Sequence, residues 1–162
     1  MMPNGRDRSA MPPMDVAGRL ARLRARLPKA GCEALVVTNL INVRYLTGFS
    51  GSAGMLLVAS DRALLVSDGR YRGQAADQLA AAGVEAEIEI GRLPEQLEAM
   101  DRATLGLGCL GLEADDISWA GKDRLASGLK CATSGGSLVA TRGVVEALRI
   151  VKDAGELARI EA

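Results

Sequence analysis

Apolar side chains recur three and four apart at Val16, Leu20, Leu23 and Leu27, the period of an amphipathic helix. Arg19, Arg22, Arg26 and Lys29 occupy the other positions. Asp15 stands where it can cap, and Pro28 and Gly31 stop the pattern, so one helix is predicted over 15–29. The run EALVVTN at 33–39 predicts a strand buried on both faces. MLLVA at 55–59 and ALLVS at 63–67 are separated by Ser60, Asp61 and Arg62, the spacing of a β-hairpin, and a hairpin makes the sheet mixed.

Asp68 and Gly69 lead into RYRGQAADQLAAAG, a predicted helix ending at Gly83. VEAEIEI at 84–90 alternates strictly, which predicts a strand with one wet face. A short helix is expected over Pro94 to Met100, with Pro94 in its first turn. TLGLGCLGLE at 104–113 reads as a strand, ISWAGKDRLASGL at 117–129 as a helix and SLVAT at 137–141 as a last strand. The tail VVEALRIVKDAGELARIEA is helical in pattern, breaks between Lys152 and Gly155, and stops at Ala162 without a capping glycine, as an interrupted chain does. Alternating strands and helices predict an α/β fold, a three-layer sandwich with helices on both faces of a mixed β-sheet.

With 162 residues, 48% of them hydrophobic, the chain suits one principal core. Twenty basic residues balance twenty acidic ones, so no net field recruits nucleic acid or an anionic membrane. The basic helix over 15–29 carries no aromatic anchor and is expected to pack on the core. MMPNGRDRSAMPPM at 1–14 lacks the apolar centre of an export signal and reads as a mobile leader. Cys32, Cys109 and Cys131 form no CxxC and suit free thiols in a reducing cytoplasm. There is no histidine, which excludes Ser-His-Asp, Cys-His and HExxH chemistry within this chain.

GLGCLG at 106–111 matches GxGxxG, but the glycines lie within an apparent strand and acids follow, so tight strand packing is the better reading. NVRYLTGFSGSAGMLL at 42–57 lacks the GK[ST] of a phosphate loop, and no lysine lies between Lys29 and Lys122. Its glycines suit a tight turn against the hairpin. Yet Arg44, Tyr45 and Phe49 stand beside them, and with Tyr71 they include three of the four aromatics in the chain. Such a turn could also wall a pocket for a small carboxylate or an apolar ring. In SDGRY at 67–71, Asp68 is a natural N-cap and Tyr71 can bury its ring. Asp115 and Asp116 are adjacent, point apart on regular structure, and read as surface charge.

NVRYLTGFSGSAG, LLVSDGRY followed by QA, LGLE at 110–113 and the exit segment VVEALRIVKDAGELARIEA together resemble the N-terminal domain of the creatinase, prolidase and Xaa-Pro aminopeptidase family, over about residues 15–162. The resemblance implies a creatinase-type, ribonuclease H-like domain over 15–141, with 142–162 as linker and start of a catalytic domain. It further implies a two-domain metallopeptidase that removes a residue ahead of proline or cleaves an Xaa-Pro dipeptide. Its divalent metal pair, expected to be manganese, would sit on two aspartates, a histidine and two glutamates of the C-terminal domain, leaving this chain with no cofactor and no catalytic residue. The implied partners are that catalytic domain, a second copy in a homodimer, and proline-containing peptides, with no nucleic acid and no membrane. Arg44, Tyr45 and Phe49 are then expected at the pocket rim, with Arg70 and Tyr71 as support. An inactive peptide- or protein-binding member and a creatinase-like hydrolase of a small guanidino compound are the alternatives.

Overall fold

The apolar runs separate into two sets of side chains, because neighbours in a strand point to opposite faces. Leu35 and Val37 enter one buried cluster while Ala34 and Val36 enter another. The computed structural model describes residues 11–162, so the first ten residues of the expected leader lie outside the described part. The strands are β1 (Ala34–Val37), β2 (Met55–Ala59), β3 (Ala63–Ser67), β4 (Glu87–Ile90), β5 (Cys109–Glu113) and β6 (Ser137–Thr141). They form one sheet in the order β4-β3-β2-β1-β5-β6. β1, β2 and β3 pair antiparallel, whereas β3 with β4, β1 with β5, and β5 with β6 are parallel. The expected hairpin and mixed sheet are both present.

Helices cover both faces. The first cluster gathers Leu20 and Leu23 of α1 (Arg19–Arg24), Leu27 of α2 (Leu27–Ala30), Val43 and Leu46 of α3 (Leu40–Thr47), and Ala75 and Leu79 of α4 (Arg72–Ala82). The second gathers Ala99 and Met100 of α5 (Leu93–Ala103) and Leu125 of α6 (Trp119–Gly128), beside the short α7 (Lys130–Thr133). In the tail, α8 (Glu146–Ile150) adds Leu148 to the first cluster, and α9 (Ala154–Ile160) follows. Each such Leu, Val or Met side chain contributes about 1.5–3 kcal/mol when fully buried.

Several boundaries differ from expectation for identifiable reasons. The helix predicted over 15–29 breaks at residues 25–26 and restarts as α2 with Pro28 in its first turn. Proline has no N–H, and its ring excludes the carbonyl four residues back, so no continuous helix passes through it. Asp15 accepts from the Gly18 N–H at 3.1 Å in the turn ahead of the helix, but α1 starts only at Arg19, with Gly18 at its N-cap and no side-chain cap. The strand expected at 33–39 ends at Val37, because the Thr38 and Asn39 amides turn to a side chain of β5.

The strand expected at 84–90 is confined to Glu87–Ile90. The helix starting at Pro94 runs from Leu93 to Ala103, so the next strand begins at Cys109 instead of Thr104. Of the GLGCLG glycines, Gly106 and Gly108 therefore precede the strand and only Gly111 lies within it. A short 3-10 turn over Gly69–Tyr71 precedes α4, which ends as expected at Gly83.

Gly111 is the glycine that packing demands. A Cβ there would lie 2.9 Å from both Cys32 Sγ and Thr141 Cγ2, inside van der Waals contact. Gly111→Ala is therefore expected to lower stability by about 1–3 kcal/mol in urea unfolding, and a further Cys32→Ala change should recover part of that loss. Full additivity of the two changes would mean that the contact is not the cause.

Candidate functional site

β1 and β5 lie side by side and parallel, but the chain leaves their carboxyl ends in opposite directions. After β1 it enters α3 on the first-cluster face, and after β5 it enters α6 on the other. A crevice outside such a divergence is where open α/β sheets hold ligands. Here it is organised by Glu113, the last residue of β5, which is 7% exposed. Its Oε2 accepts the Thr38 and Asn39 amides at 2.7 and 2.8 Å. These two donors stand at the strand-to-helix turn, where the helix itself supplies no partner.

The Asn42 Nδ2 group donates to Glu113 Oε1 at 2.7 Å and to Glu146 Oε1 at 2.5 Å, while its Oδ1 accepts from Arg149 at 3.0 Å. A guanidinium only donates and a carboxylate only accepts, so the neighbours dictate which way this buried amide points. Asn39 caps α3 by accepting from the Ile41 N–H at 2.9 Å, and its amide donates to Asp116 at 2.9 Å. Burial pushes the Glu113 carboxyl above the usual glutamate range. The hydrogen bonds from Asn39, Asn42 and Thr38 oppose that rise, and the nearby Asp116 charge adds to it.

Carboxylate oxygens of Glu113, Asp116 and Glu146 lie within 4.8 Å of one another, and with Asn39, Thr141 and Arg149 they line a cavity of about 330 Å³. The group does not fit the metal pair implied for the catalytic domain. An amide donor stands between Glu113 and Glu146 where a cation would go, and the chain has no histidine. On the other side of the crevice a cavity of about 490 Å³ is lined by residues including Thr38, Met55, Leu93, Gln96 and Arg124. Asp115 and Asp116 are exposed and point to different partners, Arg142 and Asn39.

The glycine-rich segment is only half a loop. Residues 40–47 form α3, closed by Gly48 at φ 77°, a left-handed cap that glycine adopts without strain. Phe49 then drops into the core at 1% exposure, and Gly51 lies against its ring so closely that a Cβ would sit 2.2 Å from Cζ. Polar staples tie the loop to its surroundings. Ser50 exchanges hydrogen bonds with Gln78, and Gln74 donates to the Ser50 hydroxyl at 3.2 Å. Ser52 meets the Tyr71 hydroxyl at 2.6 Å, and Ser67 donates to the Ala53 carbonyl at 2.6 Å.

Of the five expected site residues, the structure brings Phe49, Arg70 and Tyr71 together. The Phe49 and Tyr71 rings meet edge-on at 5.6 Å, and the Arg70 guanidinium lies 5.1 Å from the Tyr71 centroid while pairing with Asp68 at 2.7 Å. Asp68 caps the 3-10 turn as expected. Phe49, however, is core and not surface. Arg44 is exposed on α3, and Tyr45, the next residue on that helix, turns to Arg19 and donates to the Leu148 carbonyl at 3.2 Å.

Sequence reasoning missed Glu113, Asn42, Glu146 and Arg149, which lie as far as 107 positions apart. The available signal was an acid ending an apolar strand opposite the Thr38-Asn39 turn. Gln74 and Gln78 were missed as well, although the QA after SDGRY pointed at the first.

The family model described as the creatinase/prolidase N-terminal domain matches residues 19–151. A peptidase of Bacillus subtilis named YqhT is 30% identical over 143 residues, covering 88% of this chain and 38% of that protein. An Xaa-Pro dipeptidase from Bacillus anthracis superposes with a TM-score of 0.76 at 27% identity, covering 88% of this chain and 38% of its own. The N-terminal domain of the cytoplasmic peptidase PepQ from Mycobacterium tuberculosis is 39% identical with a TM-score of 0.67, covering 82% of this chain and 99% of that domain. The chain thus spans well under half the length of the two Bacillus proteins. No helix among the described residues is long and apolar enough to cross a membrane.

Removing the Glu113 acceptor strands two backbone donors and redirects Asn42. Glu113→Ala is expected to cost about 2–4 kcal/mol in denaturant unfolding. Because its folded pKa is raised, Glu113 contributes stability that is complete below the ordinary glutamate value of 4.5 and is lost as pH rises through the folded value. Glu113→Gln should therefore flatten the stability profile just above that point, and an unchanged profile would contradict the assignment.

Proposed function

Because this chain belongs to the creatinase/prolidase N-terminal domain family, we propose that it is the substrate-shaping and dimerising domain of a metal-dependent peptidase. The whole protein would remove a residue ahead of proline or cleave an Xaa-Pro dipeptide, with its divalent metals, manganese by this reading, on the domain that follows. It would act in the cytoplasm, where Cys32, Cys109 and Cys131 remain thiols. In this reading residues 142–162 are the linker and start of the following part, and Leu148 of α8 packs that linker against the first cluster.

The observation that carries this reading is the assembly of three separate segments into one rigid edge. The Gly48 to Gly54 loop, the 3-10 turn bearing Arg70 and Tyr71, and the Gln74 and Gln78 side chains of α4 are joined by direct hydrogen bonds. Held this way, Arg70 is exposed and Tyr71 half-buried at a preset position, with Phe49 supporting the Tyr71 ring from behind, and Arg44 is exposed on the adjoining helix. A fixed guanidinium at a rim suits the carboxylate of a short peptide, and prior ordering spares the cost of organising the loop at binding. This domain would shape access and the absent domain would do the chemistry, so the residues here hold and orient.

The test uses the full-length gene product with Xaa-Pro dipeptides and longer Xaa-Pro peptides, with and without manganese. Metal-dependent release of the residue before proline is expected, as is a rise of roughly tenfold in KM for Arg70→Ala with kcat nearly unchanged. Peptide binding without cleavage would favour the inactive binding reading, and turnover of creatine but not of proline peptides would favour the guanidino hydrolase.

A further inference from the structure

Arg19 is a buried cation that the proposed function does not use. Its side chain is 4% exposed, yet it faces two acids from the far end of the chain, Asp153 Oδ2 at 3.1 Å and Glu156 Oε2 at 3.4 Å. It also donates to the Tyr45 carbonyl at 2.8 Å, and its guanidinium lies 4.0 Å from the Tyr45 ring centroid. Both acids fall beyond residue 151, where the family match ends. The ion cluster therefore spans the end of the matched region.

What holds α9 in place is not burial of its side chains. Its buried residue is Gly155, while Leu157 and Ile160 are 46% and 66% exposed. Seven residues are too few to form a stable helix alone. Contacts with the opposite terminus remain. Asp153 Oδ2 accepts the Asp15 N–H at 3.0 Å, Arg159 donates to the Pro12 carbonyl at 2.8 Å, and a Cβ on Gly155 would collide with the Pro13 carbonyl at 2.4 Å. Asp153 and Glu156 also make a reciprocal capping box, so the groups that start the helix are the ones that grip Arg19.

We infer that Arg19, Asp153 and Glu156 form a latch across the end of the family domain, in which Arg19 is the positioning residue that holds α9 on the body and sets the direction in which the chain leaves. The latch is a charge device: a cation withdrawn from water needs its counterions, so losing either side releases the other. In the two-domain reading, on which this consequence rests, the latch orients the domain that follows. Its test does not depend on that reading, because it is made on this chain.

Asp153→Asn with Glu156→Gln keeps both capping hydrogen bonds, since Asn caps as well as Asp and Gln replaces Glu in a capping box, but removes the two charges from Arg19. Hydrogen exchange followed by mass spectrometry is expected to show α9 amides exchanging about tenfold or more faster in this variant, with β1 and β2 unchanged. Tryptic cleavage after Lys152 should accelerate in parallel. Arg19→Gln should give the same local release. Protection of α9 within twofold of the unsubstituted chain would overturn the latch, leaving capping alone as the role of the acids. Faster exchange throughout the sheet in both variants would overturn it too, making the cluster part of the core instead of a local hold.

Discussion

One buried carboxylate ties together the two strands on which this fold turns. Where β1 ends, the chain must leave the sheet at once for α3, and the amides of Thr38 and Asn39 lose their ladder partners. Glu113, arriving in parallel at the end of β5, accepts both. A water-filled turn would satisfy the same groups, but it would not fix the start of α3 relative to β5. Because the acceptor is buried, the turn has one geometry, and the position of every residue on α3 follows from it. Asn42 is drawn to Glu113 and Glu146, Tyr45 faces Arg19, and Gly48 meets α4.

A second constraint works outward from that helix. Phe49 is held in the core immediately after the Gly48 cap, and its ring leaves no space for a side chain at Gly51. Loops of this length are ordinarily the mobile part of a domain. This one is fastened by an apolar anchor on its inner side and by serine and glutamine hydrogen bonds on its outer side. Rigidity is what a domain needs if it shapes another domain's substrate site, since a soft rim would lose binding free energy to ordering.

The ends of the chain follow different physics from the sheet. Residues 12–15 meet the α9 segment through the Asp15 N–H on Asp153, the Pro12 carbonyl on Arg159 and the close approach of Gly155 to Pro13, while Leu157 and Ile160 stay exposed. Hydrophobic contact holds the body together, α8 included, and the ion pairs of Arg19 join the start of α9 to it. Contacts between parts of one chain are generally more polar than a core.

Much of the architecture was legible along the chain. The hairpin, the mixed sheet, the helix stop at Gly83 and the break before Gly155 rest on period, turn chemistry and capping, all of which act between near neighbours. The family was legible too, through short motifs. In the glycine-rich segment ahead of Met55, residues up to Thr47 are helix and not loop, because propensity does not reveal that Asn39 finds a capping role. The directions of Tyr45 and Phe49 follow from packing against Arg19 and Tyr71. Glu113, Asn42, Arg149 and Arg19 were not legible as partners at all. Local order was thus determined by the sequence itself, through interactions a few residues long. Which polar groups meet, and which side chains face the rim, was decided by the tertiary structure, because a buried charge or amide selects its partner from whatever the fold brings within 3 Å or so.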